Sequence, residues 1–275
     1  MKKLLSLALL FSFVLNANAQ YAKKISLKKG QTITCATNAN TDSEMGMGNM
    51  KNDITTLTVL NVIDENEQSF ILTNTMTKMK MEMEGMGQNM NFDSDNKDDR
   101  ESEIGKTVSE KLDIPDTFLL NKSTGVCQLL NEKTDEGESK SGGLSFMAGE
   151  KDGQGPADAF LIIPSDKKIG DNWEVTTTNK GLTTKKKYTL KSIEQSSATL
   201  EISGTTTGTV EQEVQGMAMN MTMDTKVKGV MKVNIQTGLV IESSSDMDMN
   251  NSMDMMGQQM QISSKGKTIV TYTSK

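Results

Sequence analysis

Apolar and polar residues alternate with a period of two through most of this sequence, and the alternation limits the folds open to the chain. It is clearest from residue 79 onward, where Met79, Met81 and Met83 alternate with charged residues. Successive side chains of a β-strand point to opposite faces, whereas an α-helix needs apolar residues every three or four positions. Helical spacing is nearly absent. The pattern therefore predicts an all-β protein with antiparallel, curved sheets that have one apolar and one polar face.

Two parts of the sequence resemble each other in residue type and order. The segment 28–35, KKGQTITC, matches 168–175, KIGDNWEV, and 124–127, TGVC, matches 237–240, TGLV. Between these blocks, apolar positions from Leu60 onward recur at an offset of 130. Recurrence of one strand pattern in the same order indicates an internal duplication.

The duplication predicts a division of the chain into two related halves. We expect a first β repeat over 21–133 and a second over 157–275. Residues 134–156 are rich in Gly, Ser and charged residues, which is typical of a flexible linker. The sheets of the two halves could be separate half-barrels or be joined into one long sheet.

The first 19 residues have the three parts of a secretory signal peptide. Lys2 and Lys3 precede an apolar run over 4–15, and residues 17–19 form an Ala-Asn-Ala cleavage motif. The run is shorter than the roughly 20 residues that a membrane-spanning helix needs. We therefore expect cleavage after Ala19, a periplasmic or secreted mature protein, and no membrane span.

The composition argues against most kinds of active site. The 275 residues include no histidine and a single arginine, Arg100, and 36 acidic residues outnumber 30 basic ones. Without histidine there is no Ser–His–Asp or Cys–His catalytic set and no imidazole zinc site. An acidic chain is a poor partner for nucleic acid. We expect a protein that is not an enzyme, needs no cofactor, and binds no nucleic acid.

Methionine is the second unusual feature, with 22 residues that cluster in the segments 45–50, 76–90, 217–223 and 247–260. Within these segments methionine occupies every second position, so that several thioethers share one strand face. The sequence therefore predicts a methionine-lined apolar face. Its candidate ligand-binding residues are Met79, Met81, Met83, Met217, Met219, Met221 and Met223.

Three interpretations of the methionine face remain open. Methionine could fill the core of a sheet that has few aromatic residues. It could form a deformable surface for a lipid-like ligand or an apolar partner, because methionine adapts its shape to its contacts. Alternatively, thioethers are soft ligands that suit Cu(I) in an exported protein. We favour a binding or structural role with an apolar ligand over copper binding.

The two cysteines, Cys35 and Cys127, predict a disulfide. They are the only cysteines in the chain, and an exported protein meets an oxidising compartment. In the repeat alignment Cys35 matches Val175 and Cys127 matches Val240, which places both in strands. If those strands are neighbours, the sulfurs can meet; otherwise both are buried free thiols.

The matched blocks also resemble a known group of proteins. The GDNW turn at 170–173, the YTLKSI strand at 188–193 and the TGL turn at 237–239 are similar to a family of exported Bacteroidota proteins of unknown function. The resemblance implies an exported, β-rich protein of a Gram-negative cell and supplies no catalytic residues. A weaker likeness, of architecture alone, is to periplasmic lipoprotein carriers, whose half-barrel sheet wraps an apolar cavity.

The signal peptide gives a direct prediction. Expression of the full chain in a Gram-negative host should yield an envelope-fraction protein whose first residue is Gln20. Intact-mass measurement checks this. A protein that keeps residues 1–19 would contradict the assignment.

Overall fold

A computed structural model describes residues 21–46, 48–85, 87–102, 105–106, 108, 112–130, 155–179, 181–214, 217–255 and 258–275. Over these residues the protein is built almost entirely from strands. The strands are β1 (Thr32–Met45), β2 (Gly48–Glu65), β3 (Ser69–Gly85), β4 (Gln88–Asp93), β5 (Pro115–Asn121), β6 (Cys127–Leu129), β7 (Asn172–Asn179), β8 (Leu182–Glu194), β9 (Ser197–Val214), β10 (Met217–Asn234), β11 (Val240–Met255) and β12 (Gln258–Ser274). A short helix, α1 (Lys97–Glu101), follows β4, and a 3₁₀ helix (Gly155–Ala159) precedes β7.

All 12 strands belong to one antiparallel sheet in the order β6-β5-β3-β2-β1-β12-β11-β10-β9-β8-β7, with β4 also beside β3. The all-β, antiparallel prediction is confirmed. Of the two arrangements expected for the sheets, the structure has the joined one, because β1 pairs with β12 from Ile33–Ser274 to Met45–Ile262. This β1–β12 seam unites strands from the two parts of the sequence.

The sheet is rolled. Eight strands separate β6 from β8 in the sheet order, a path of about 43 Å at about 4.8 Å per strand. Nevertheless, Lys186 Nζ on β8 donates to Asp158 Oδ1 of the 3₁₀ helix at 2.7 Å. Gly125, just before β6, lies against the backbone of Phe160. Asp158 and Phe160 are only two positions apart in the sequence, so β8 and β6, which they contact, must lie close together in space. The sheet must therefore curve until these two strands approach each other. Among the described residues β6 and β7 do not pair, so the sheet is not closed into a barrel.

One end of the roll is filled by two segments that cross it, residues 21–27 and 155–163. In the first, the Ile25 N–H donates to the carbonyl of Lys122 at 2.6 Å and the Ser26 N–H to that of Thr237 at 2.9 Å, which ties the turn after β5 to the turn after β10. In the second, the Leu161 N–H donates to the carbonyl of Gly238 at 2.8 Å. Buried apolar residues of these segments and of the strand ends form the main core. They include Ile25, Ile33, Leu60, Phe70, Leu72, Phe160, Ile163, Leu190, Leu200 and Val233.

The two TG turns that the sequence matched make the same hydrogen bonds. In the first, Asn121 Oδ1 accepts from the N–H groups of Ser123 and Thr124. In the second, Asn234 Oδ1 accepts from those of Gln236 and Thr237. Each turn ends at a glycine with φ of 72° or 73°, which favours glycine over any residue with a Cβ.

The turns before β1 and β7 also correspond to each other. The Gly30 N–H donates to the carbonyl of Val62, and the Gly170 N–H donates to that of Leu190. Val62 therefore corresponds to Leu190, and each is followed by an irregularity in strand pairing. The offset between Val62 and Leu190 is 128, two residues less than the offset of 130 in the sequence comparison.

Other predictions fall on residues that the structure does not describe. The signal peptide over 1–19 lies outside the described residues, as does the linker except for its final residues in the 3₁₀ helix. Among the residues that are described, no helix is long and apolar enough to cross a membrane.

The outer face of the sheet carries a row of alternating charges across six neighbouring strands. The pairing registers place these exposed residues opposite one another. The row runs Glu84, Lys51, Asp42, Lys265, Asp248, Lys226. Opposite charges directly across from each other favour this register, and like charges would oppose it. The row therefore helps to align β1 with β12 at the seam.

Replacing Asp42 with Lys should destabilise the protein, because three lysines would then stand side by side at the seam. Each opposite-charge pair contributes about 0.2–1 kcal/mol, so we expect D42K to lower the free energy of unfolding by about 1–2 kcal/mol at low salt. Urea denaturation at low and high ionic strength checks this, since salt screens exposed charges. The control D42N, which removes attraction without adding repulsion, should lose about half as much. Equal stability of D42K and the parent at low salt would refute a role for the row.

Candidate functional site: the inner face of the sheet

The inner face is the side of the sheet that carries the core and faces the inside of the roll. Residues directly opposite in neighbouring strands share a face, so the registers trace this face across the sheet. One such row crosses six strands. It runs Met81, Ile54, Ala39, Thr268, Ser245, Gly229. Each of these residues is buried or half-buried.

Every methionine in a strand whose side chain the structure describes occupies an inner-face position. The two faces differ sharply as a result, because the positions between these methionines are mostly charged or polar. The methionines are Met45, Met50, Met76, Met79, Met81, Met83, Met90, Met221, Met223, Met231, Met247, Met249, Met253 and Met260.

The first predicted group of ligand-binding methionines lies under a part of the chain that the sequence did not connect with it. Met79 and Met81 are 6% and 2% exposed and form a core cluster with Phe92 and Leu112. Leu112 belongs to the insertion between β4 and β5, and its isolated bridge with Met76 holds it against β3. Met83 is half-buried at the rim of this cluster. In this group, therefore, methionine fills a small core.

The second predicted group lies on β10, outside the core clusters of the described residues. Met221 is 4% exposed and Met223 is half-buried, and neither belongs to a core cluster of the described residues. Met217 and Met219 pair in register with positions 214 and 212 of β9, but their side chains lie outside the described part. The two groups stand five strand steps apart along the sheet, on β3 and β10, and share no core cluster of the described residues.

Small residues line the centre of the inner face, on either side of the β1–β12 seam. Thr37, Ala39 and Thr41 alternate along β1, and Gly266 and Thr268 face them from β12. All five are half-buried. Because their side chains are short, the middle of the roll is wider than at positions where leucine or phenylalanine points inward.

Two inner-face polar atoms are buried without a hydrogen-bond partner among the described residues. They are the Thr225 hydroxyl on β10, in a residue only 6% exposed, and Asn52 Oδ1 on β2. By contrast, the buried hydroxyls of Ser264 and Ser43 bond to each other across the seam at 2.8 Å. Buried polar atoms in proteins are nearly always satisfied, so unpartnered ones mark positions where a further group could bind.

A polar cluster sits where the 3₁₀ helix meets the strands. Asp158 forms an ion pair with Lys186, at 2.7 Å. Burial acts to lower the pKa of Lys186, but the adjacent Asp158 and Tyr188 raise it overall. Burial also raises the pKa of Tyr188, with Lys186 opposing this effect. Sequence reasoning missed this cluster, because Asp158 stands alone in an apolar segment, and Lys186 is the middle one of three consecutive lysines far from it in the sequence.

Cys35 and Cys127 are both free, so the expected disulfide is not formed. Cys35 lies on β1 and Cys127 on β6, and β2, β3 and β5 stand between them in the sheet. A disulfide requires Cα atoms within about 7 Å, whereas four strand steps span about 19 Å along the sheet. The prediction was wrong because it assumed that the two strands are neighbours.

The described residues offer no conventional metal site. Among them no group of three or more Cys, Asp or Glu side chains could hold an ion. The acidic segment that begins at Asp93 uses its side chains for local bonds instead. Asp93 Oδ1 accepts from the Asp95 N–H, and Asn96 caps α1 by accepting from the Asp98 N–H.

The protein is thus defined by its fold as a rolled, antiparallel all-β protein with an apolar inner face. Within it, residues 156–240 match the model of DUF6263, a family of unknown function. This range runs from the 3₁₀ helix to the first residue of β11. It supports the sequence-based resemblance to a family of unknown function; export and a Bacteroidota source stay predictions. No curated protein sequence matches the chain.

Several solved structures are distant, β-rich neighbours. Lipovitellin, in a structure concerned with lipid–protein interactions, is 11% identical with a TM-score of 0.49; the match covers 91% of this chain and 26% of the lipovitellin chain. An outer-membrane channel from Pseudomonas putida F1 is 8% identical with a TM-score of 0.24 and coverages of 90% and 97%. A mutant porin of Rh. blastica is 7% identical with a TM-score of 0.22 and coverages of 86% and 99%.

The free cysteines predict slow thiol chemistry in the folded protein. Burial and the nearby Asp158 raise the pKa of Cys127 to about 12, and burial raises that of Cys35. The thiolate is the reactive form, so little of it is present at pH 8. Ellman's reagent should react with two thiols per unreduced chain in concentrated guanidinium, and much more slowly without denaturant. Absence of reactive thiols in the unreduced, denatured protein would show that Cys35 and Cys127 are joined in a disulfide.

Proposed function

We propose that this protein is a non-catalytic binding protein that holds an apolar, lipid-like ligand inside its rolled sheet. The observation that carries the proposal is the half-buried state of the residues at the centre of the inner face, such as Ala39, Thr268 and Met247. These side chains point into the roll, yet they are less covered than the core residues at the end that the two crossing segments fill.

The number of strands supports an interior with room for a ligand. A closed barrel of about eight strands is just wide enough for its own side chains or one small ligand, and about 16 strands enclose an aqueous channel. This sheet has 12 strands, and its central inner positions are Thr, Ser, Ala and Gly. By comparison with closed barrels, 12 strands with such small central residues favour an interior that the protein's own side chains do not fill.

The lining favours an acyl chain over a polar guest. Met223, Met247 and Met249 border the central zone and are half-buried. An acyl chain laid against them would gain about 0.8 kcal/mol for each CH₂ group removed from water. Methionine side chains rearrange easily, so one surface can accept chains of different length or curvature. The unpartnered Thr225 hydroxyl and Asn52 Oδ1 are suited to hydrogen-bond the polar part of such a ligand.

A binding role also agrees with the chemistry that the chain lacks. It has no histidine and one arginine, and the strongest pKa perturbations among the described groups belong to buried Cys127 and Tyr272. Burial is the main cause of both shifts, which is a packing effect and needs no catalytic role. An activity screen that found turnover abolished by one Asp or Glu substitution would contradict this part of the proposal.

Export and duplication complete the proposed picture. The signal peptide supports a periplasmic or secreted location, where lipids must be shielded from water in transit. The matching bonds of the two TG turns and of the turns at Gly30 and Gly170 support an origin by duplication. In this interpretation β10 corresponds to β4 and β5 together. On the edge away from β2, β3 pairs with both β4 and β5, whereas on the edge away from β8, β9 pairs with β10.

Filling the middle of the roll should weaken ligand binding. Ala39→Phe places a ring among Thr268, Ile54 and their neighbours, in the space proposed for the acyl chain. We expect A39F to bind a dansyl-labelled medium-chain fatty acid at least about tenfold more weakly than the parent, a difference of about 1.4 kcal/mol. Fluorescence titration measures the affinity, and native mass spectrometry of protein from its own cell envelope tests for a retained lipid.

The adjacent residue provides a matched control. Asn40 precedes Thr41 on the same strand but lies on the exposed outer face, so Asn40→Phe adds the same ring outside the roll. N40F should bind the probe like the parent. Equal binding by A39F and the parent, or failure of the parent to bind any acyl probe, would overturn the proposed function. Circular dichroism and thermal melts confirm that both variants fold.

A further inference from the structure

The pairing registers bring three methionines into a single row near the hairpin end of β10, β11 and β12. Met253 on β11 lies directly opposite Met221 on β10 and directly opposite Met260 on β12. All three occupy inner-face positions. The comparable row of the first half has only two methionines, Met83 and Met90, with Asn52 on the other side of Met83.

We propose that Met221, Met253 and Met260 form a three-thioether site that binds Cu(I). Thioether sulfur is a soft ligand that selects Cu(I), whereas imidazole and carboxylate ligands suit Zn²⁺, Cu²⁺ and harder ions. The chain has no histidine, and both cysteines lie on other strands, β1 and β6. The donor atoms at this row are therefore thioether sulfurs. The site selects Cu(I) over Zn²⁺ and Cu²⁺ by the type of its ligands as well as by their geometry.

Strand geometry allows the three sulfurs to converge. Directly opposite residues of an antiparallel pair have Cβ atoms about 4.5–5.5 Å apart. Each methionine has three rotatable bonds beyond Cα, which lets the outer two sulfurs swing toward the central one. A flat row of three side chains on one face thus becomes a trigonal set when an ion is present, without movement of the backbone.

The burial of the row suits an ion that enters from inside the roll. Met221 is 4% exposed and fixes one side of the site, while Met253 and Met260 are half-buried. The next inner-face neighbour of Met221, on β9, is Val210. Asn251, two residues before Met253, is turned aside, because its Oδ1 accepts from the Asp224 N–H at 3.3 Å. No oxygen ligand of the described inner face therefore competes for this position in the row.

This site shares no residue with the proposed acyl-binding zone, although Met223 of that zone follows Met221 by two positions on β10. The acyl chain lies against the centre of the sheet, around Ala39 and Thr268, whereas the methionine row is toward the hairpin that joins β11 to β12. Copper binding and lipid binding can thus fail independently of each other.

Anaerobic titration with Cu(I) against the chromophoric competitor bicinchoninate tests the site. We expect the parent to bind one Cu(I) at this row, with X-ray absorption showing sulfur neighbours only. Replacing Met221, Met253 and Met260 together by Leu keeps the apolar volume, at a stability cost of less than about 1.5 kcal/mol each. This variant should lose the bound ion. Each single Leu change should weaken Cu(I) binding by more than the roughly 10- to 100-fold that loss of an outer-shell partner causes.

The matched control replaces Met79, Met81 and Met83 by Leu, which removes three thioethers from the other half of the sheet. It should bind Cu(I) at this row like the parent. The proposal would be overturned by a parent that cannot take Cu(I) from the competitor, by a row variant that binds as the parent does, or by loss of binding in the control alone. Nitrogen or oxygen neighbours in the absorption spectrum would do so as well.

Discussion

The assignment of side chains to two faces governs this structure, and on β3 it depends on a single β-bulge. On the N-terminal side of the bulge the inner-face residues of β3 are even-numbered, as at Leu72 and Met76. On its C-terminal side they are odd-numbered, as at Met79 and Met81. The switch occurs because Thr77 is an extra residue between the pairs Thr58–Met76 and Leu57–Lys78. Its hydroxyl donates to the Leu57 carbonyl at 3.1 Å, which stabilises the bulge. Without the bulge, the apolar residues on one side of it would face water, since a shift of one residue moves every following side chain to the opposite face of the sheet.

Much of this arrangement is readable from the sequence, because alternation is a local property. The strands, the sharing of one face by Met79, Met81 and Met83, and the matching TG turns all follow from short stretches of residues. What the sequence does not specify is which strands are neighbours. The disulfide prediction failed for that reason, since nothing local reveals that three strands separate Cys35 from Cys127. The cover that Leu112 provides over Met79 and Met81 was missed because the insertion reads as an ordinary polar loop.

The 3₁₀ helix and the residues after it connect parts of the sheet that are remote in strand order. Phe160 packs in the core cluster of β1, β2, β3 and β5, and Ile163 packs in that of β8, β9, β10 and β11. In the same segment, Asp158 accepts a hydrogen bond from Lys186 on β8, and the Leu161 N–H donates to the carbonyl of Gly238. A segment that contacts both sides of the roll limits how far they can separate. The same packing keeps this end filled, while central inner-face residues such as Ala39 and Thr268 stay half-buried.

The β1–β12 seam has a consequence for how the protein can fold. Its pairs join residues as far apart as Ile33 and Ser274, or 241 positions in the sequence. Contacts of such high sequence separation form slowly, because a long loop must close before they contribute. During synthesis β1 therefore emerges long before its partner and keeps an unpaired edge, which is a template for pairing with other chains. The central strand of the finished sheet is thus the most aggregation-prone edge of the nascent chain, and folding that starts only after β12 is available would protect it.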